Sequence, residues 1–194
     1  MAPRAESTLA RQLRTAAGAP LGDLFSFMSG LYFRGKLAYA RRFARPPDPA
    51  EPLVGSGVLV ITPNAGLRAA ETPVTVPSLQ AFASVSIDLT NPAYRGPLEH
   101  SGRALFDAVG PECEVVLLGS IASGKYVDVL LPVFGETLLF PTSFVGRGDM
   151  SRGGLMLRHA ASGHELEYVP IAGAVRHGIR PPKLERVSAH TSRK

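Results

Sequence analysis

The chain has a single cysteine, no tryptophan, and no apolar run near membrane-spanning length among its 194 residues. Cys113 alone can make neither an internal disulfide nor a cysteine-based zinc cluster. It stands between Glu112 and Glu114, whose charges raise a thiol pKa, so it is a weak nucleophile candidate. A membrane helix needs about 20 apolar residues, and the opening MAPRAESTLARQLRTAAGAP lacks the apolar centre of a secretory signal. A cytoplasmic setting without a membrane partner is therefore expected. His100, His177 and His190 stand alone, and His159 and His164 flank a predicted turn with no cysteine pair beside them, so neither a metal nor a cofactor is indicated. There is no G-x-S-x-G elbow.

What charge there is falls unevenly. The net charge is +5, but residues 51–175 carry seven Lys/Arg against twelve Asp/Glu, while both ends are basic. A non-specific nucleic-acid binder is expected to carry its basic face on the folded domain itself. Here a nucleic-acid partner would have to use the basic ends. The length suits one domain with a substantial core. The expected division is an N-terminal helix and linker over residues 1–22, one α/β domain over 23–175, and a basic, flexible tail over 176–194.

Taken in order, residues 5–17 predict a short helix, and Asp23 is a candidate N-cap for a second one, DLFSFMSGLYFRGKLAYARRFA. Gly30 and Gly35 weaken it and predict two segments with a bend rather than one rod. Tyr32, Arg34, Lys36, Tyr39, Arg41 and Arg42 mix aromatics with bases. That mixture suits an amphipathic helix, and it also suits a clamp for a base or sugar phosphate. Four prolines make residues 45–57 a loop. Val58–Thr62 reads as a buried strand feeding the turn PNAGL, which makes Asn64 a site candidate at a carboxyl edge. Ser84–Leu89 reads as a strand and Pro97–Val109 as a helix, with Pro97 near its first position. Glu114–Leu118 and Leu138–Pro141 are further strands. Leu155–Ala160 and Glu165–Val169 read as a C-terminal hairpin, with a helix from Met150 to Ala161 as the competing reading. The alternation predicts an α/β fold: a mostly parallel sheet with helices on both faces, plus that C-terminal β-hairpin.

Gly119-Ser-Ile-Ala-Ser-Gly124-Lys125 fits G-x-x-x-x-G-K between a predicted strand and a predicted helix, the context a phosphate loop requires. Backbone N–H groups and a helix N-terminus would face the anion, with the lysine beside them. A triphosphatase is disfavoured, because Tyr126 stands where Ser or Thr would hold magnesium and no later strand supplies the second magnesium aspartate. A monophosphate, sugar or nucleoside site remains, formed by Gly119, Ser120, Ser123, Gly124 and Tyr126, with Lys125 as electrostatic helper. A plain turn is the alternative. If the sheet is parallel, the loop Val145–Gly154 emerges on the same edge. Arg147 and Arg152 would then clamp an anion, and Asp149 would accept from a sugar hydroxyl or act as base or nucleophile.

Tyr32-Phe33-Arg34, Lys36 to Tyr39, Pro63-Asn64-Ala65-Gly66-Leu67, VVLLGS with Tyr126 and Leu130, and Phe140-Pro141 before a glycine-rich loop occur in an order similar to an uncharacterised family of small bacterial α/β domains grouped with nucleoside- and base-processing proteins. The resemblance spans residues 24–154. It departs at the N-terminus, where helix replaces an opening strand, and in the extra hairpin after Gly154. It implies a nucleoside- or nucleic-acid-related role. Two functions follow as expectations. One is a domain binding a nucleoside- or phosphate-bearing ligand, with Asp149 and Lys125 as catalytic candidates for a hydrolase or glycosyltransferase acting on a glycosidic or N-glycosidic bond. The other is a non-catalytic nucleic-acid or protein interaction module.

Overall fold

The computed structural model describes residues 7–182 and 184. Helix α1 (Thr8–Leu13) is shorter than the predicted 5–17 and starts where the Ser7 side chain accepts from the Ala10 N–H at 3.2 Å. Gly18, at φ 70°, turns the chain into β1 (Ala19–Pro20). The two expected segments are α2 (Leu21–Ser29) and α3 (Leu31–Phe43), parted at Gly30 with φ 69°. Gly35 stays inside α3. Asp23 does not cap α2: Pro20 holds that position, and Asp23 takes the Arg41 guanidinium at 2.8 Å instead.

The first sheet-like element is a hairpin. Strands β2 (Leu59–Thr62) and β3 (Gly66–Ala69) pair antiparallel, with Thr62 opposite Gly66. The Thr62 hydroxyl donates to the Gly66 carbonyl at 2.8 Å and accepts from the Ala65 N–H at 3.1 Å, closing the turn that holds Asn64. Strand β4 (Pro73–Val74) pairs with β1, and α4 (Val76–Ala83) follows. The predicted strand 84–89 is turn-like chain, in which the Asp88 carboxylate accepts from both the N–H and the hydroxyl of Thr90. Helix α5 (Pro92–Val109) begins earlier than predicted, under the Asn91 side chain, and carries Pro97 inside it.

The last third is a β-α-β unit with an added strand. It comprises β5 (Val115–Val116), α6 (Gly124–Phe134), β6 (Leu138–Pro141), α7 (Asp149–Ser162) and β7 (Tyr168–Pro170). Strands β5 and β6 are parallel, with Val115 opposite Leu138. Strand β7 runs antiparallel on the other side of β6.

The fold class therefore differs from the expected one. Seven helices surround sheets of two, two and three strands among the described residues, and β5–β6 is the one parallel pair. The run VLVIT is no central strand, because its polar groups pair with β3 across a turn of hairpin length. The expected C-terminal hairpin is also replaced, since most of it is α7. Arg152, Gly153, Leu155 and Met156 recur on one buried face at helical spacing. Gly163, at φ 74°, is the left-handed stop of that helix rather than a hairpin turn.

Two apolar cores result. The larger gathers Tyr94 and Leu98 of α5, Val127, Leu130 and Phe134 of α6, and Leu138 and Phe140 of β6, with Phe144 and Met156. The smaller joins Leu21, Leu24, Val58, Val60 and Val74. Helix α3 bridges them, giving Tyr39 to the first and Leu37 to the second. Against α7 it comes into backbone contact: a Cβ on Gly35 would lie 2.5 Å from the Gly153 carbonyl oxygen, and one on Gly153 would lie 2.8 Å from the Leu31 carbonyl oxygen. That close crossing holds the first turns of α3 and α7 side by side.

Candidate functional site

Four segments converge where β5 ends. The Tyr32 hydroxyl, from the first turn of α3, donates to the Leu118 carbonyl at 3.2 Å. The loop from Gly119 leads into α6, whose Tyr126 lies so close that a Cβ on Gly119 would be 3.4 Å from its ring. The first turn of α7 brings Asp149 and Arg152 to the same place, because the glycine crossing presses α7 onto α3.

Arg152 is the unusual member. Its side chain is 6% exposed. One terminal nitrogen donates to the Phe144 carbonyl at 3.1 Å, the guanidinium lies 5.4 Å from the Phe144 ring centroid, and the other terminal nitrogen stands 3.9 Å from Asp149. Asp149 is 66% exposed, so this long pair contributes little. The Arg152 Nε is buried without a hydrogen-bond partner. A buried cation needs compensation, and here it is incomplete.

Lys36, one turn along α3 from Tyr32, lies 4.0 Å from that ring's centroid. Among the described residues it has neither a hydrogen bond nor an ion pair. Burial lowers its pKa to about 8; the Arg152 charge works in the same direction and Asp149 against it. Burial raises the Tyr32 pKa, with the neighbouring Arg152 guanidinium opposing. Burial also raises that of Tyr126, helped by the Asp149 carboxylate. Tyr32, Lys36, Tyr126, Asp149 and Arg152 thus form one electrostatic cluster with two cations, one carboxylate and two aromatic rings.

Of the residues singled out in the sequence, Gly119, Tyr126, Asp149 and Arg152 meet here. Ser120, Ser123 and Gly124 lie in the connecting loop and at the start of α6. Ser123 sits at the cap position without a side-chain hydrogen bond, and a Cβ on Gly124 would strike the Asp128 carboxylate. Lys125 lies elsewhere: it is exposed, its charge acts on Asp88, and its carbonyl accepts from the Tyr94 hydroxyl at 2.9 Å. Asn64 is in the β2–β3 turn, its amide donating to the Ala81 carbonyl at 2.9 Å. Tyr32 and Lys36 belong to the aromatic–basic helix; their four-residue spacing was the only sign that they share a face.

Arg147 is occupied by its own loop. It donates to the Ser143 carbonyl at 3.0 Å, the Ser151 hydroxyl at 3.2 Å and the Pro182 carbonyl at 3.4 Å. Nearby, a Cβ on Gly146 would strike the Ile179 carbonyl, so residues 178–182 pack against this loop. Arg147→Ala is expected to lose about 1–2 kcal/mol of stability, measurable in a urea titration, through its two backbone hydrogen bonds. An unchanged urea midpoint would show those bonds to be dispensable.

Two clefts lie elsewhere. One, of about 390 Å³, is an open, mainly apolar depression beside Phe140, Val145, Val169 and Val175. The other, of about 270 Å³, lies between Leu21, Asn64, Arg68 and Phe82. Neither joins two uncompensated cations, so volume is the weaker guide here. Among the described residues no group of three or more His, Cys, Asp or Glu could hold a metal, and no helix is long and apolar enough to cross a membrane. No protein-family model, curated protein or solved structure matches this chain.

Proposed function

We propose that the cluster at the end of β5 binds a phosphate-bearing, nucleoside-like small molecule. The observation that carries this reading is the pair of cations lacking full compensation: buried Arg152 with a free Nε, and Lys36 with no hydrogen bond or ion pair among the described residues, the Asp149 charge acting on it only at a distance. An anion placed between them supplies the missing partner, and the guanidinium offers the directional donors that phosphate favours. The first turn of α7 adds N–H groups and a positive dipole end. The rings of Tyr32 and Tyr126 offer faces for a base or sugar, and Asp149 is exposed to accept from a sugar hydroxyl. Any turnover in this reading falls at the glycosidic bond, with Asp149 as the proton acceptor.

A thermal-shift comparison of matched pairs tests it: ribose 5-phosphate against ribose, and adenosine monophosphate against adenosine, each with and without magnesium. At 100 times its dissociation constant a ligand stabilises by about 2.7 kcal/mol, a rise of roughly 5–10 °C for a chain of this size. The phosphorylated member of each pair should give that rise without magnesium, and Lys125→Ala should leave it intact. Equal shifts from the unphosphorylated partners would sink the reading. A response to short single-stranded DNA alone would transfer it to the interaction module.

A further inference from the structure

We infer that the ligand's charged group is a phosphate monoester, bound as its dianion between Lys36 and Arg152, and that Lys36 takes up a proton as it binds. This inference rests on the function proposed above and goes further, to the charge state of the ligand and the group that matches it. The site's own charge argues for a dianion. Lys36 and Arg152 bring two positive charges, Asp149 removes one, and the N-terminus of α7 beside them restores roughly half a charge. About one and a half positive charges remain, more than the single charge of a carboxylate or phosphodiester offsets. The free Nε of buried Arg152 is independent of the helix end and also calls for an acceptor.

Lys36 is the adjustable member. The groups acting on it are the Tyr32 and Phe33 rings on its own helix and Asp149 and Arg152 on α7; Tyr126 of α6 acts on Tyr32 and, through Asp149, at one remove. Burial lowers its pKa to about 8, so near that pH only about half of the molecules carry its proton before a ligand binds. A dianion beside it favours the charged form. Binding therefore draws in a proton, and affinity declines as pH rises above about 8. A phosphate monoester loses its second proton near pH 6, so affinity also declines below about 6. The result is a bell-shaped profile whose upper limb belongs to Lys36 and whose lower limb belongs to the ligand.

Calorimetric titration with ribose 5-phosphate from pH 5 to 10 tests this, repeated at pH 8 in two buffers of different ionisation enthalpy. The wild-type chain should bind most tightly between about pH 6 and 8 and take up roughly half a proton at pH 8. Lys36→Met should weaken binding at pH 7 at least tenfold and abolish both the upper limb and the proton uptake. Lys36→Arg should retain binding and lose only the upper limb. Circular dichroism confirms that each variant is folded, and Lys36→Gln replaces any variant that is not. If wild-type protein binds but the profile is flat from pH 7 to 9 and Lys36→Met matches it, the role of Lys36 is overturned. If the acid limb is missing, the monoester is overturned. Absence of binding by any phosphate compound would instead sink the underlying reading, a separate result.

Discussion

Gly153→Ala should destabilise the protein by about 3 kcal/mol, lower Tm by roughly 6–12 °C, and abolish binding at the cluster. In a helix interior alanine is ordinarily better than glycine by about 0.5–1 kcal/mol, so intrinsic propensity points the other way. Packing decides the sign. The added methyl would lie 2.8 Å from the Leu31 carbonyl oxygen and from the Tyr32 Cα, both backbone atoms that cannot rotate aside. Relief requires α3 and α7 to separate, which draws Tyr32 and Lys36 away from Arg152 and Asp149. The neighbouring glycine is the control. A methyl on Gly154 would meet only the Leu184 side chain at 3.7 Å, so Gly154→Ala should be neutral or slightly stabilising. Equal effects at the two positions would show that the close helix crossing does not govern the site.

Arg152→Met should reduce affinity for a phosphate ligand at least a hundredfold while changing folding stability by no more than about 1 kcal/mol. Methionine keeps much of the buried stem's volume. The change removes one hydrogen bond to the Phe144 carbonyl, worth about 1 kcal/mol. It also removes a buried charge whose Nε is unsatisfied, and relief of that penalty offsets the loss. Losing a charged, desolvated partner from a binding site typically costs 2–5 kcal/mol of affinity. Arg152→Lys should fall between, since an ammonium keeps the charge but not the planar donor fork. A large stability loss with unchanged affinity would make Arg152 a structural cation that ties α7 to Phe144.

Part of the chain around the candidate site was legible in the sequence, and the sheet was not. The strand before Gly119, the helix after it and the strand ending at Pro141 were legible because glycine and proline punctuate them. The break between α2 and α3 was legible at Gly30. The sheet was not, because a short β-branched run such as VLVIT has the same pattern in a central parallel strand as in a hairpin. Only the partner strand distinguishes them, and here that partner is four residues away across the Asn64 turn. The helix reading of Met150–Ala161 stood second to the hairpin, and α7 (Asp149–Ser162) bears it out; the two competed because Leu155–Ala160 is short and Ala161–Gly163 suits a helix stop as well as a hairpin turn.

The same limit separates two arginines that are equivalent in sequence. Arg147 lies before α7 and hydrogen-bonds within its loop, whereas Arg152 lies on the face that α3 covers. Helix register makes that difference, and the register depends on where α7 begins. Lys36 posed another problem. Its spacing from Tyr32 was visible, but which charges would approach it depends on a crossing between helices more than a hundred residues apart.

The most direct test is to follow the backbone amide resonances of uniformly labelled protein as ribose 5-phosphate is added. The largest shifts are expected at Gly119–Tyr126 and Asp149–Arg152, the segments that carry Tyr126, Asp149 and Arg152 to the cluster. Shifts confined to the cleft beside Asn64 and Phe82, or to the depression beside Val145 and Val175, would place any ligand elsewhere and contradict the assignment of the site.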